Sequence, residues 1–171
     1  MNVTYRKATP ADIGALIELR FAYLAEDCGE VGEEERKAIS SQLSDYFKRQ
    51  IGNNFSAYLA ETDGKPIAAV YMAVAEKPAN PAFITGKTAT VLNVFTYPEY
   101  RRKGVATRLL KMLIDEAKTM NISYLELSAT DDGKPLYEKL GFECSQSKYT
   151  LMKLPFSISN IPEENSLTNI L

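Results

Sequence analysis

One stretch constrains the fold more than any other, Val91-Leu92-Asn93-Val94-Phe95-Thr96-Tyr97-Pro98-Glu99-Tyr100-Arg101-Arg102-Lys103-Gly104-Val105-Ala106-Thr107. Its first part, Val91 to Phe95, is an apolar, β-branched run and predicts a buried strand. Pro98 ends that strand, because proline has no N–H to give to a sheet ladder. After the proline the period changes. Val105, Leu109, Met112, Leu113, Ala117 and Met120 recur at spacings of three and four, which places them on one helix face. Arg108, Lys111, Asp115 and Lys118 fall on the opposite face. Between strand and helix stand Arg101, Arg102, Lys103 and Gly104. The first turn of a helix carries unpaired N–H donors and the positive end of the dipole. A glycine there admits a bulky anion to the backbone, and the cations add charge, so the turn reads as a phosphate cradle. It is neither a P-loop nor the glycine pattern of a dinucleotide fold.

The rest of the chain supplies elements that fit around this unit. Val3 to Lys7 predicts a first strand. Thr9-Pro10-Ala11-Asp12 opens a helix whose stripe is Ile13, Leu16, Ile17, Phe21 and Leu24. The acidic, glycine-broken segment Glu26 to Gly32 separates it from a second helix, Glu33 to Ile51. Phe55 to Thr62 and Lys65 to Val74 predict a hairpin about the Asp63-Gly64 turn. A loop from Glu76 to Lys87 leads to the central strand. Tyr124 to Ala129 predicts the next strand, and the helix between makes the pair a parallel βαβ crossover. A short helix should end at Gly141. Phe142 to Gln146 and Lys148 to Leu154 predict a last antiparallel pair, stopped by Pro155, with a tail to Leu171.

Length suits a single domain, residues 1–154, followed by the tail, residues 155–171. A net charge of −2 gives no general attraction to nucleic acid or anionic membranes. No apolar run reaches membrane-spanning length. Cys28 and Cys144, without a secretory signal, predict free thiols and a cytosolic setting. Cys28 has no neighbour that argues for a lowered thiol pKa and reads as inert. Histidine is absent, so His-ligated metal sites and His-based triads are excluded. Proton transfer then falls to Tyr, Asp, Glu, Lys or water.

Two motifs carry a resemblance. Arg101-x-x-Gly104-x-Ala106, after a strand and opening a long helix, looks like the acyl-CoA signature of the GNAT superfamily of N-acyltransferases. Pro135-Leu136-Tyr137-Glu138-Lys139-Leu140-Gly141-Phe142 resembles the segment that closes the same superfamily's core. The detailed resemblance covers Val91 to Leu154. It implies a mixed α/β (α+β) fold. A single domain would be built on a mixed, mostly antiparallel sheet with a splayed parallel strand pair, flanked by about four helices. It implies acetyl-CoA as cosubstrate, with no metal, and transfer of the acetyl group to a primary amine.

The implied site residues follow by position. The amides of Arg102, Lys103, Gly104, Val105, Ala106 and Thr107 would hold the CoA pyrophosphate, with Arg101 or Arg102 reaching a phosphate oxygen. The family usually has Gly where this chain has Arg102. The free edge at Val94, Phe95 and Thr96 would pair with the pantetheine arm, and an N–H near Val94 would face the acyl oxygen. Asn93 interrupts the apolar run, either as part of the catalytic site or as a satisfied buried amide. Tyr137 is the implied general acid; a core aromatic is its structural alternative. Thr130 stands where the family often carries Asn, and Gly133 where it usually has Ala. Glu26, Asp27, Glu30 and Glu33 to Glu35 form a solvated loop and helix end, or else border a pocket for a cationic amine. A small-molecule amine is the expected partner, a homodimer is left open, and membrane and nucleic acid are disfavoured. The rival readings are a non-catalytic CoA sensor and an acyltransferase acting on a protein or aminoacyl-tRNA.

Overall fold

The Asp63-Gly64 turn sets the register of the sheet. Both residues lie in the left-handed region, at φ +50° and +72°, the geometry that joins twisted strands through two residues. In the computed structural model, which describes residues 2–146 and 148–156, this turn links β2 (Phe55–Thr62) to β3 (Lys65–Glu76). Thr62 pairs with Lys65 and Phe55 with Ala73. β1 (Thr4–Lys7) adds antiparallel to β2, and β4 (Lys87–Thr96) antiparallel to β3. β5 (Leu125–Glu126) closes the five-stranded order β1-β2-β3-β4-β5 and is parallel to β4. The helices are α1 (Ile13–Asp27), α2 (Glu33–Gln50), α3 (Val105–Thr119) and α4 (Lys134–Lys139). The expected mixed α/β fold is present.

The two sheet faces hold two cores. On one, α3 buries Val105, Leu109, Leu110, Leu113 and Ala117 against Ala60, Ala68, Val70, Met72, Ala89 and Val91. The predicted stripe is right at its centre, while Met112 and Met120 lie at its margin and Leu110 joins it. On the other, Leu16 and Leu19 of α1 and Phe47 of α2 cover Phe55, Leu59, Tyr71 and Phe95. The rings of Phe47, Phe55 and Tyr71 meet at centroid distances of 5.1, 5.4 and 5.9 Å. The buried Tyr71 hydroxyl donates to the Leu16 carbonyl at 2.6 Å. That bond fixes the height of α1 over the sheet.

Two expectations fail at the C-terminal side. The strand after α3 is confined to Leu125–Glu126 rather than running from Tyr124 to Ala129. No strand forms over residues 142–146 or 148–154. Apolar residues are present there, but Leu151 and Met152 are 85% and 86% exposed, and a strand needs a ladder and a buried face. The tail beyond residue 156 lies outside the described residues.

Candidate active site

Residues on β4 diverge from β5 soon after the pair forms. Ala89 pairs with Leu125 and Thr90 with Glu126, and the parallel ladder stops there. From Val91 onward the β5-facing edge of β4 has no strand partner among the described residues. A bulge in β4 follows just beyond that point. Tyr71 pairs with Leu92 and Ala69 with Phe95, so two steps on β3 face three on β4. This is a bulge, and Asn93 sits in it at φ +50°. The extra residue exchanges the faces of the strand. Val91 belongs to the core under α3, but Phe95, four residues on, belongs to the core under α1 and α2. Val94 packs toward α3 instead.

Asn93 is 4% exposed, and its Nδ2 has no partner. Its Oδ1 accepts a hydrogen bond from Arg20 Nη1 of α1 at 3.4 Å. The buried Thr96 hydroxyl is also unpartnered. Unsatisfied polar atoms are costly in a strand that only has to pack.

The turn after β4 is built from left-handed residues. Arg102 has φ +59° and Gly104 φ +78°, with Lys103 between them outside that region. Alternating handedness curls the chain so that successive N–H groups converge. Gly104 then caps α3 and supplies no side chain to its first turn. Among the described residues, none accepts a hydrogen bond from the N–H groups of Arg102 through Thr107; Arg108 is the first to bond back, to the Gly104 carbonyl at 3.0 Å. A β-carbon on Gly104 would meet nothing within 4 Å, so the position is open to a ligand. The usual Gly at the Arg102 position is explained by its positive φ.

The three cations divide their roles. Arg101 Nε donates to the Thr96 carbonyl at 2.7 Å, and its Nη2 pairs with Glu26 at 2.5 and 2.6 Å. Lys103 Nζ donates to the Glu99 carbonyl at 2.8 Å. Arg102 is exposed and carries no side-chain bond among the described residues. Arg101 therefore clamps the end of α1 to the end of β4, and Arg102 is the side chain left to meet an anion.

Tyr137 lies on α4, half-buried against the α3-side core, its ring edge-to-face with Phe142 at 5.9 Å. Burial, with Tyr23 of α1 contributing across the cleft, pushes its hydroxyl above the ordinary tyrosine pKa. A raised pKa keeps the group protonated at neutral pH and makes proton donation more uphill than the reference values imply. Gly133 makes room for it, since a β-carbon there would stand 3.2 Å from Tyr137 Cε2 and from Thr130 Oγ1. Thr130 organises the helix start: its carbonyl accepts from Gly133 and Lys134 N–H at 3.1 and 2.9 Å, and its hydroxyl from Gly133 N–H at 3.2 Å.

The acidic segment is less free than its sequence suggests. Glu26 is held by Arg101, and Glu33 and Glu34 pair with Lys37 at 3.3 and 3.0 Å. Asp27 lies beside Tyr23 and raises its pKa after burial does. Cys28 and Cys144 are free and exposed, and burial with Asp27 pushes the Cys28 thiol up, away from reactivity. Sequence reasoning did not single out Arg20, which lies off the apolar stripe of α1. A separate hollow of about 500 Å³ beside β5 is lined by Tyr124, Leu127, Tyr137, Phe142 and Cys144 and touches none of residues 91–107.

Comparisons with known proteins bear on this geometry. The family described as Acetyltransferase (GNAT) matches residues 19–142. No curated protein matches the chain. Among solved structures, a predicted acetyltransferase from Clostridium acetobutylicum, crystallised with acetyl-CoA, is 29% identical. It aligns over 89% of this chain and 96% of its own, with a TM-score of 0.78. A GCN5-related N-acetyltransferase from Ralstonia eutropha JMP134 is 23% identical over 91% of this chain and 99% of its own, with a TM-score of 0.76. Glucosamine-6-phosphate N-acetyltransferase from Arabidopsis thaliana, at 22% identity, 92% and 100% coverage and a TM-score of 0.61, shares the fold. Strand, cradle, helix and tyrosine segment thus fall within one matched span, and this chain belongs to the GNAT family of acetyltransferases.

Proposed function

We propose that the protein transfers the acetyl group of acetyl-CoA to a primary amine of a small molecule, with both substrates bound together. One observation carries the reading. The unbonded N–H groups of Arg102 through Thr107 follow, after one short turn, the β5-facing edge of β4 from Val91 to Thr96, which has no strand partner among the described residues. A row of donors followed by a strand edge suits a pyrophosphate joined to an extended amide-containing arm. The similar Clostridium acetobutylicum protein was crystallised with acetyl-CoA, which supports the same cosubstrate here.

Bound acetyl-CoA would supply an activated acyl thioester. The chain supplies the rest. Gly104, Val105, Ala106 and Thr107, with Arg102 and Lys103 before them, hold phosphate oxygens on their N–H groups, and the Arg102 guanidinium adds a charge-assisted donor. Arg101 holds the cradle to α1 from behind. Val94, Phe95 and Thr96 offer backbone groups to the arm, and the Val94 N–H is the donor available to charge developing on the acyl oxygen. Tyr137 keeps its proton until the sulfur leaves and then gives it up. Holding amine and thioester together accounts for much of the acceleration. A water relayed to a carboxylate serves as base.

Release of the CoA thiol, followed with acetyl-CoA and a panel of primary amines, tests the reading. Amine-dependent release is expected. Tight acetyl-CoA binding with no release for any amine would leave a cofactor-binding domain and remove the transferase.

A further inference from the structure

The acceptor side of the cleft contains a cation with no carboxylate to neutralise it. Arg20 projects from α1 one turn after Leu16, whose carbonyl takes the Tyr71 hydroxyl, so its helix turn is fixed over the sheet. Its guanidinium stands 5.3 Å from the Tyr23 ring centroid, and Nη1 reaches Asn93 Oδ1 at 3.4 Å. Among the described residues, no carboxylate oxygen lies within 4.0 Å of it. Arg6 and Arg101, by contrast, are each paired with acids. Arg20 is only partly exposed. A half-buried, aromatic-stacked guanidinium with most of its donors unused is organised for a planar anion.

Its place matters as much as its charge. Asn93 is the neighbour of Val94, the residue that faces the acyl group in the proposed reaction. Arg20 therefore stands at the bulge of β4, next to the residue that faces the acyl group in the proposed reaction. We propose, resting on the transferase reading, that the acceptor is a small amine bearing a carboxylate, as an amino acid does, and that Arg20 binds that carboxylate.

One guanidinium balances one negative charge. A phosphate monoester carries about −1.5 to −2 at neutral pH, and Asp27 beside Tyr23 would repel the excess. This favours a carboxylate over an aminoalkyl phosphate. Asn93 acts as the positioning residue: its Oδ1 takes one N–H and turns the remaining fork outward. Of the acidic loop residues, Glu26 is engaged by Arg101 and so is not free to meet a cationic acceptor.

Matched acceptors test the proposal on the unaltered protein. CoA release is compared for small amino acids, their carboxamides, the decarboxylated amines and aminoalkyl phosphates. The carboxylates should exceed the carboxamides in kcat/KM by about 10–100-fold, the range expected for a charge-assisted pair. Arg20→Gln should raise KM for the carboxylates to the level of the carboxamides, abolishing the preference between them. Arg20→Lys should restore part of the difference. Equal use of carboxamides or plain amines, a preference for aminoalkyl phosphates, or an Arg20→Gln loss spread equally over all acceptors would overturn it. Those outcomes leave amine-dependent release intact, so they are distinguishable from failure of the transferase reading, in which no amine releases CoA.

Discussion

Burial and a close neighbour define the setting of Tyr137, and both a proton donor and a packing residue would share them. Its hydroxyl is raised in pKa by burial, and its ring position is set by the absence of a β-carbon at Gly133. Tyr137→Phe keeps the ring against Phe142, so folding and acetyl-CoA affinity should be unchanged. Turnover should fall by roughly 10²–10⁴. Because the pKa is shifted upward, the basic limb of the pH–rate profile, where tyrosine is the titrating group, should lie above about pH 10 and disappear in the Phe variant. Steady-state turnover across pH, with chemistry shown to be rate-limiting, checks this; full turnover in the variant would reduce Tyr137 to packing. Gly133→Ala probes the same ring from the other side. It should move the Tyr137 ring by a few tenths of an ångström and lower kcat more than it alters CoA affinity, as separate kinetic and calorimetric measurements would show.

At the scale of elements, the first turn of α3 and the clamp before α1 lead to different predictions. The α3 turn has free donors and an open approach, so Gly104→Glu adds bulk and negative charge where phosphate oxygens would lie. The added side chain also has to adopt φ +78°, which costs about 1–2 kcal/mol. Acetyl-CoA binding should be lost in a protein that still melts cooperatively; titration calorimetry showing unchanged affinity would refute the cradle. The clamp is electrostatic. Arg6 bonds Asp12 at 2.8 and 2.7 Å and Glu61 at 3.0 and 2.5 Å, tying β1, β2 and the turn into α1. The Asp12 carboxyl is held well below its usual range by Arg6, against the opposing effect of burial. A depressed carboxylate pKa gives stability that is present above its unfolded value, about pH 4, and is lost as pH falls further. Asp12→Asn should therefore destabilise the protein at neutral pH by about 1–3 kcal/mol and flatten the decline in stability below about pH 4. Denaturant melts at several pH values measure both.

The whole molecule is held by two cores on opposite faces of one sheet, and neither draws on a residue after Phe142 among the described residues. The apolar side chains of Leu151, Met152, Leu154 and Phe156 are exposed. We therefore propose residues 1–154 as the folding unit. A chain ended at Leu154 should melt within about 2 °C of the full protein, less than the shift of a 1 kcal/mol change. A larger drop by calorimetry would place stabilising contacts beyond that point. The sheet is also what brings the site together. Arg20, Asn93, Gly104 and Tyr137 belong to α1, β4, the α3 turn and α4, and of these Arg20 and Asn93 are joined directly, at the bulge of β4.

The sequence by itself determined what depends on local period and turn chemistry. The change of period across Pro98, the Asp63-Gly64 hairpin, the helix stripes and the glycine before α3 each act over a few residues, and each is present in the fold. Two motifs were enough to point to the family, because the cradle is a local backbone device. What only the tertiary structure decided involves partners distant in the chain. Arg101 reads as a phosphate ligand until Glu26, from the far end of α1, is seen to hold it. Nothing local marks Arg20, and only the fold sets it against Asn93, 73 positions later. The last antiparallel pair expected over residues 142–146 and 148–154 does not form. Strand pairing, side-chain charge balance and the bulge in β4 are settled by long-range contacts, and no local pattern encodes which contact wins.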